Sequence, residues 1–169
     1  LGGDLREFVF RFENPREVHY KAGQFILVKI QDKPVQYRAY SISSANDDNR
    51  ILKVIIKKVA NGYGTEIIFR FKVGDKVILE EPMGNHLVPS EDTKKMLFIA
   101  NGIGITPFIG LAKENLTKGE ALESVKLLNG QRYVDDFIYH DYFTDLQKEY
   151  NNFEYLPAAS REDQEGFYK

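Results

Sequence analysis

The chain of 169 residues carries 23 Lys and Arg against 25 Asp and Glu, for a formal net charge of −2 and a pI near 6.0. That balance leaves no electrostatic footprint for nucleic acid or an anionic membrane surface, and no apolar run approaches the roughly 20 residues of a membrane-spanning helix. There is no cysteine, which excludes disulfides, thiolate zinc sites and cysteine-ligated iron–sulfur clusters within this span and fits a reducing compartment.

From residue 5 to residue 88 the pattern is that of strands. "REFVFRF" (6–12) alternates, "GQFILVKI" (23–30) is rich in β-formers, and "VQYRAYSISS" (35–44), "ILKVIIKKV" (51–59) and "KVILEEP" (76–82) follow. Asn14-Pro15, Lys33-Pro34, "SANDDN" (44–49), "NGYG" (61–64) and Gly74-Asp75 supply the turns between them. Short strands at this spacing suggest an antiparallel barrel or sandwich. The one helical stretch expected in this half is "TEIIFRF" (65–71), with Thr65 as its N-cap.

After Pro89 the period changes. "MLFIA" (96–100) is a wholly apolar strand of the kind buried in a parallel sheet. A glycine turn leads into a helix from Pro107 to about Leu116. "SVKLLNG" (124–130) is a strand, "VDDFIYHDYFTDLQKEY" (134–150) a helix with Asp135 and Asp136 in its first turn, and "FEYLPAAS" (153–160) a third strand. This β-α-β-α-β order is that of an open parallel sheet, joined to the first half through the charged stretch 89–95. Three strands and two helices leave such a sheet with an open edge. With Leu1 in place of an initiator Met, the chain reads as a fragment or a processed product. No signal-peptide pattern opens it, and a cytoplasmic location is expected.

Three stretches carry chemistry. In "RAYS" (38–41) the period-2 alternation of a strand puts Arg38 and Tyr40 on one face, either as a solvated surface or as a cation beside a flat ring that awaits a phosphorylated aromatic ligand. "NGYGT" (61–65) places Gly62 and Gly64 ahead of a helix start, as a hairpin loop or as an anion site. "IANGIGITPF" (99–108) sits at the carboxyl end of a strand, the edge where ligands bind open α/β sheets. There Thr106 fits an N-cap and Pro107 the first helical position. Pro107 stands where G-x-G-x-x-G would need its third glycine, so the motif is not the dinucleotide fingerprint. A ligand site and a bare tight turn are about equally favoured. His19, His86 and His140 lack metal-ligand spacing, and no metal site is expected.

Taken in order, these pieces resemble the ferredoxin–NADP⁺ reductase superfamily of flavin oxidoreductases. The resemblance rests on "AGQF" (22–25), "RAYS" (38–41), "NGYGT" (61–65), "VGDKVILEEPMGNHLV" (73–88), "NGIGITPF" (101–108), "LLNGQRYVDDFIYHDYF" (127–143) and "SRED" (160–163). It implies an antiparallel six-stranded flavin-binding β-barrel over 1–89 and an α/β parallel-sheet NAD(P)-binding domain over 95–169, incomplete at its C-terminus. Carried over residue by residue, Arg38 pairs with flavin phosphate, Tyr40 stacks on the isoalloxazine and Ser41 hydrogen-bonds near its N5; Tyr40 and Ser41 are thus the candidate catalytic residues. Ser41 faces away from Tyr40 on a regular strand, so a local twist or bulge is needed for both to touch the ring. Backbone at Val54 and Ile56 meets the ring's polar edge, and Gly62, Gly64 and Thr65 the phosphates. Gly102, Gly104, Thr106 and Pro107 line the nicotinamide nucleotide. Ser160 and Arg161 match the position that holds the 2′-phosphate in NADPH-using members, although an exposed arginine alone favours NADPH over NADH only slightly.

The implied reaction passes a hydride from NAD(P)H to FAD, preferred over FMN, and electrons onward to an acceptor such as ferredoxin, flavodoxin or an oxygenase component. Aligning donor and acceptor at about 3–3.5 Å leaves little acid–base work to the protein. Two other readings stand beside it: an electron-transfer module of a larger oxygenase or hydrogenase-type complex, and a non-catalytic barrel used for binding. The sequence departs from the family in three places. Asn101 and Glu81 stand where the family usually has glycine, and no counterpart of its final Cys-Gly-x-Pro-type segment is present, which implies an incomplete nicotinamide subsite.

Overall fold

A computed structural model describes residues 3–90, 92–117 and 122–169. The chain divides into two compact units, Leu1–Val88 and Pro89–Lys169.

In the first unit, strands β1 (Leu5–Arg11) and β4 (Ile51–Lys57) pair antiparallel, as do β2 (Phe25–Asp32) and β3 (Val35–Ser41). Among the described residues these four strands form two antiparallel pairs. The expected strand at 76–82 touches β2 only through the isolated bridges Val28↔Leu79 and Phe25↔Met83, and the two pairs meet at one further bridge, Ile42↔Val54. Period-2 alternation decides which residues go inside: Ile26, Val28 and Ile30 from β2 and Leu52, Val54 and Ile56 from β4 are buried together with Ile42 and Ile68, and Phe8 and Phe10 of β1 pack against them. At about 1.5–3 kcal/mol per fully buried aliphatic side chain, this cluster is the main cohesive element of the unit.

Helix α1 (Tyr63–Ile68) lies across that core with Ile68 fully buried. Its far end is tied to β1 by Arg6, whose Nη1 donates to Phe69 O at 2.8 Å while the guanidinium lies 4.7 Å from the Phe69 ring centroid. The expectation of Thr65 as N-cap is not met. Gly62 is the cap, and Thr65 lies inside the helix, its Oγ1 donating to Gly62 O at 3.0 Å and accepting from Val59 N at 3.2 Å. The hydroxyl closes the loop against the helix instead of capping it.

In the second unit, β5 (Lys95–Asn101), β6 (Ser124–Gln131) and β7 (Phe153–Ala159) form a parallel sheet in the order β5-β6-β7, as the β-α-β-α-β pattern predicts. Successive right-handed crossovers in one direction place both helices on one face. Helix α2 (Thr106–Leu116) stacks Phe108 on Phe98 of β5 at 4.8 Å between ring centroids. Helix α3 (His140–Glu149) sets Phe143 against Tyr155 of β7 at 5.3 Å, and Tyr142 Oη of α3 donates to Ile109 O of α2 at 3.3 Å.

Two expectations fail here. The stretch 134–150 is not one helix. Val134–Asp136 is a 3₁₀ turn, Phe137 is extended, Tyr139 adopts φ +60°, and α3 begins only at His140, so Asp141, not Asp135 or Asp136, occupies its first turn. Phe137 packs on Phe167 at 5.1 Å and on His140 at 6.0 Å between ring centroids, and this aromatic packing replaces continuous helix. The apolar β5 is also not buried on both sides. Met96 and Ala100 are buried on the helix-covered face, whereas Leu97 and Ile99 on the opposite face are 62% and 66% exposed.

Candidate functional site

In the first unit Arg38 and Tyr40 of β3 and the Gly62–Thr65 turn come together at the β2–β3 pair. Cross-strand partners share a face, and Arg38 is opposite Val28 while Tyr40 is opposite Ile26, both fully buried. The arginine and tyrosine thus share the side of their strand that carries Val28 and Ile26 on β2, where Tyr40 packs against the core and the Arg38 side chain reaches solvent. Tyr40 is half-buried, packed against the core cluster, and burial raises its hydroxyl pKa against a smaller opposing effect from Arg38. Arg38 is exposed, and its Nη1 donates to Tyr37 O at 2.8 Å. No carboxylate forms an ion pair with it among the described residues.

Gly64 explains where the arginine goes. A Cβ built on Gly64 would stand 2.8 Å from Arg38 Cγ and 3.0 Å from Nε, so the absence of a side chain lets the arginine stem pass directly over the start of α1. Gly62 is equally constrained, since a Cβ there would stand 2.8 Å from both Thr65 Oγ1 and Val59 Cβ. Neighbouring Asn61 takes φ +57°, a conformation asparagine tolerates better than most residues. The first amides of any helix lack intrahelical partners. Gly62 N donates to Val59 O at 2.9 Å, so the turn presents the amides of Tyr63, Gly64 and Thr65 beside the Arg38 guanidinium, a donor set suited to phosphate oxygens.

Val54 and Ile56 are buried as side chains, and the bonds Phe12 N to Arg50 O and Lys58 N to Asp4 O set a parity along β4 that turns the backbone groups of both residues to β1. On the edge of β4 that faces away from β1, the described residues make one bridge, Ile42↔Val54, and the bond from Ser43 N to Lys53 O at 2.8 Å. Ser41 is opposite Phe25 and so faces away from Tyr40; the register irregularity of this pair lies further along, between Lys29 and Gln31, and does not turn Ser41.

In the second unit, Gly102–Ile105 forms a 3₁₀ turn at the carboxyl end of β5 and runs into α2. Gly102 has φ +58°, which disfavours any side chain, and a Cβ on either Gly102 or Gly104 would meet nothing within 4 Å. Thr106 is the first residue of α2 and not its cap; Ile105 caps, and Thr106 Oγ1 donates to Ile103 O at 2.7 Å. Thr106 and Pro107 are both buried, so their side chains shape the turn from within while Ile103 and Gly104 face outward.

Ser160 and Arg161 follow the end of β7 and are exposed. Two residues that the sequence reading passed over hold them beside the glycine turn. Gln131 Nε2 donates to Gly102 O at 3.2 Å, and Gln131 O accepts from Ser160 N at 3.0 Å. Arg161 N donates to Arg132 O at 3.0 Å, which brings a second exposed arginine next to the first. The available signal was position: "QR" ends a parallel strand at the same sheet edge as the glycine turn.

The geometry agrees with sequence comparison. Residues 1–87 match the family described as oxidoreductase FAD-binding domain, and residues 98–169 the oxidoreductase NAD-binding domain. The chain belongs to the ferredoxin–NADP⁺ reductase-like superfamily of flavin oxidoreductases. It is 28% identical over 151 residues to the phenol hydroxylase P5 protein of Acinetobacter pittii, covering 89% of this chain and 42% of that protein. It is 26% identical over 167 residues to the aromatic O-demethylase reductase subunit of Amycolatopsis, covering 96% of this chain and 49% of that protein. Among solved structures, a ferredoxin NADP⁺ reductase from Neisseria gonorrhoeae with bound FAD and NADP superposes with a TM-score of 0.84 at 22% identity, over 98% of this chain and 66% of that one. The chain thus spans about half the length of the curated relatives it matches.

Proposed function

We propose that this chain is the cofactor-binding part of an NAD(P)H-dependent flavoprotein reductase that passes a hydride from NAD(P)H to FAD and electrons onward to a protein acceptor, such as ferredoxin, flavodoxin or an oxygenase component. The observation that carries this reading is the passage of Arg38 over Gly64, an arginine without a carboxylate partner among the described residues at a turn that a Cβ would fill.

In this reading residues 1–89 hold the flavin and residues 95–169 the nicotinamide nucleotide. The first unit is the six-stranded flavin barrel of the family, with 78–83 as the strand beside β2; the bonds Lys29 N to Ile78 O at 3.0 Å and Glu80 N to Leu27 O at 3.0 Å support that assignment. Bound flavin supplies the hydride- and electron-transfer chemistry. Arg38 with Gly62, Gly64 and Thr65 holds the phosphates and Tyr40 offers a ring face; the register turns Ser41 away from Tyr40 and the backbone of Val54 and Ile56 to β1, so these three do not join the ring contacts of this reading. Gly102 and Gly104 leave open surface for the nucleotide, Thr106 and Pro107 fix the turn beneath it, and Ser160 with Arg161 receives the 2′-phosphate when NADPH is the donor. No helix among the described residues is long and apolar enough to cross a membrane, and we place the protein in the cytoplasm.

The relatives include, beside ferredoxin–NADP reductases, a phenol hydroxylase P5 protein and an aromatic O-demethylase reductase subunit, which favours as second reading an electron-transfer module of a larger oxygenase-type complex. Purification followed by titration with FAD and FMN tests the flavin assignment: a chain that retains neither is a non-catalytic binding domain, and the proposal falls. Arg38→Ala should lower flavin affinity roughly 30-fold, the scale of losing hydrogen bonds to a charged group, with the melting temperature nearly unchanged. Equal loss of both would return the arginine to a structural role. For the full-length protein, faster flavin bleaching by NADH than by NADPH would overturn the 2′-phosphate assignment.

A further inference from the structure

Along β3 the residues of the proposed flavin site stand in a fixed order. Tyr40, Arg38 and Gln36 share one face at intervals of about 7 Å. Gln36 is opposite Gln31 of β2, and the register shift between Lys29 and Gln31 is what brings Gln31 onto that face, since uninterrupted alternation would point it away. Gln31 accepts a hydrogen bond from the Tyr63 hydroxyl, and its Nε2 donates to Lys33 O at 2.8 Å. The Tyr63 ring is 51% exposed although its hydroxyl is held, and Tyr63 immediately precedes Gly64, over which Arg38 passes.

We propose that Tyr63 is a platform for the adenine of FAD and the residue by which this site selects FAD over FMN. The inference rests on the flavin reading above. Isoalloxazine at Tyr40 and phosphate at Arg38 set a direction along β3, and the next aromatic surface in that direction is Tyr63, anchored at the Gln31 end of the hairpin. FMN ends at its phosphate and has nothing to lay on that ring, whereas FAD continues through a second phosphate and a ribose to a purine. The hydroxyl bond to Gln31 fixes the ring before the ligand arrives, so stacking demands little further ordering of the side chain.

The test is fluorescence-quenching titration of apoprotein with FAD and with FMN for the wild type, Tyr63→Leu and Tyr63→Phe. The wild type should bind FAD more tightly than FMN. Tyr63→Leu should weaken FAD about tenfold, the effect of losing one base–aromatic stack, and leave FMN unchanged. Tyr63→Phe, which keeps the ring and loses only the Gln31 bond, should stay within about threefold of wild type for FAD. Unchanged FMN affinity certifies that the variant is folded. Equal weakening of both flavins, no change in either, or a wild type that binds FMN as tightly as FAD overturns the platform while leaving the flavin site standing. Binding of neither flavin by the wild type overturns the site itself, and the platform with it.

Discussion

The two glycine turns look alike in sequence and differ in what their glycines do. At "NGYGT" the missing side chains are spaces filled by the protein: Arg38 occupies the room over Gly64, and Thr65 and Val59 that over Gly62. At "NGIGIT" the same absence leaves open surface, because nothing stands within 4 Å of a Cβ at Gly102 or Gly104. One turn is glycine-rich so that a side chain of its own unit can be aimed; the other keeps a backbone bare. A glycine pair therefore does not specify one mechanism, and the contacts of an imagined methyl group separate the two.

Alanine substitutions sharpen that contrast. Gly64→Ala should cost about 2 kcal/mol, as overpacking does in a filled site, and should weaken flavin binding because Arg38 is displaced; denaturant unfolding and flavin titration read the two effects. A loss of stability below about 0.5 kcal/mol would show that Arg38 is free to move aside. An effect of similar size is expected of pH in the second unit. Burial pushes the Tyr155 hydroxyl up to about 12, against a smaller lowering by its bond with Asn129. Below the ordinary tyrosine value of 10.0 the group is neutral in both folded and unfolded chain, so its contribution is fully present; between pH 10 and about 12 only the unfolded chain ionises and the contribution is lost, about 2 kcal/mol in all. Urea midpoints at rising pH should show this loss in the second unit, and Tyr155→Phe should lack that part of the pH dependence. Gly102→Ala should cost about 1 kcal/mol, because φ +58° strains any side chain even in open space. Gly104→Ala, with neither crowding nor positive φ, should stay within about 0.5 kcal/mol of wild type. If Gly104→Ala proves as costly as Gly64→Ala, the contrast between the turns collapses.

Much of this was legible in the sequence because it depends on local periodicity. Apart from 76–82, which makes only isolated bridges, the strands from "REFVFRF" to "FEYLPAAS", the β-α-β-α-β order and the turn at Gly102 all follow from alternation, apolar runs and glycine. What was not legible depends on contacts between distant segments. "VDDFIYHDYFTDLQKEY" has no internal breaker; its helix is interrupted because Phe137 packs on Phe167, 30 positions away in sequence. Thr65 has the residue type and position of a cap, but Gly62 can approach where a side chain would collide, and the threonine turns to the loop instead. The face of Arg38 and Tyr40 was readable as shared, but whether it pointed to core or solvent required the pairing with Val28 and Ile26. Gln131 and Arg132 drew no notice since their role is backbone and amide bonding between two strand ends.

The bare side of the three-stranded sheet has a practical consequence for the 169-residue chain in isolation. Leu97 and Ile99 project from an outer strand whose far edge has no hydrogen-bonded neighbour among the described residues. An apolar face combined with an unpaired edge is a template for adding another strand. A single lysine at position 97 or 99 should therefore reduce any concentration-dependent association of the isolated chain, as light scattering would read it.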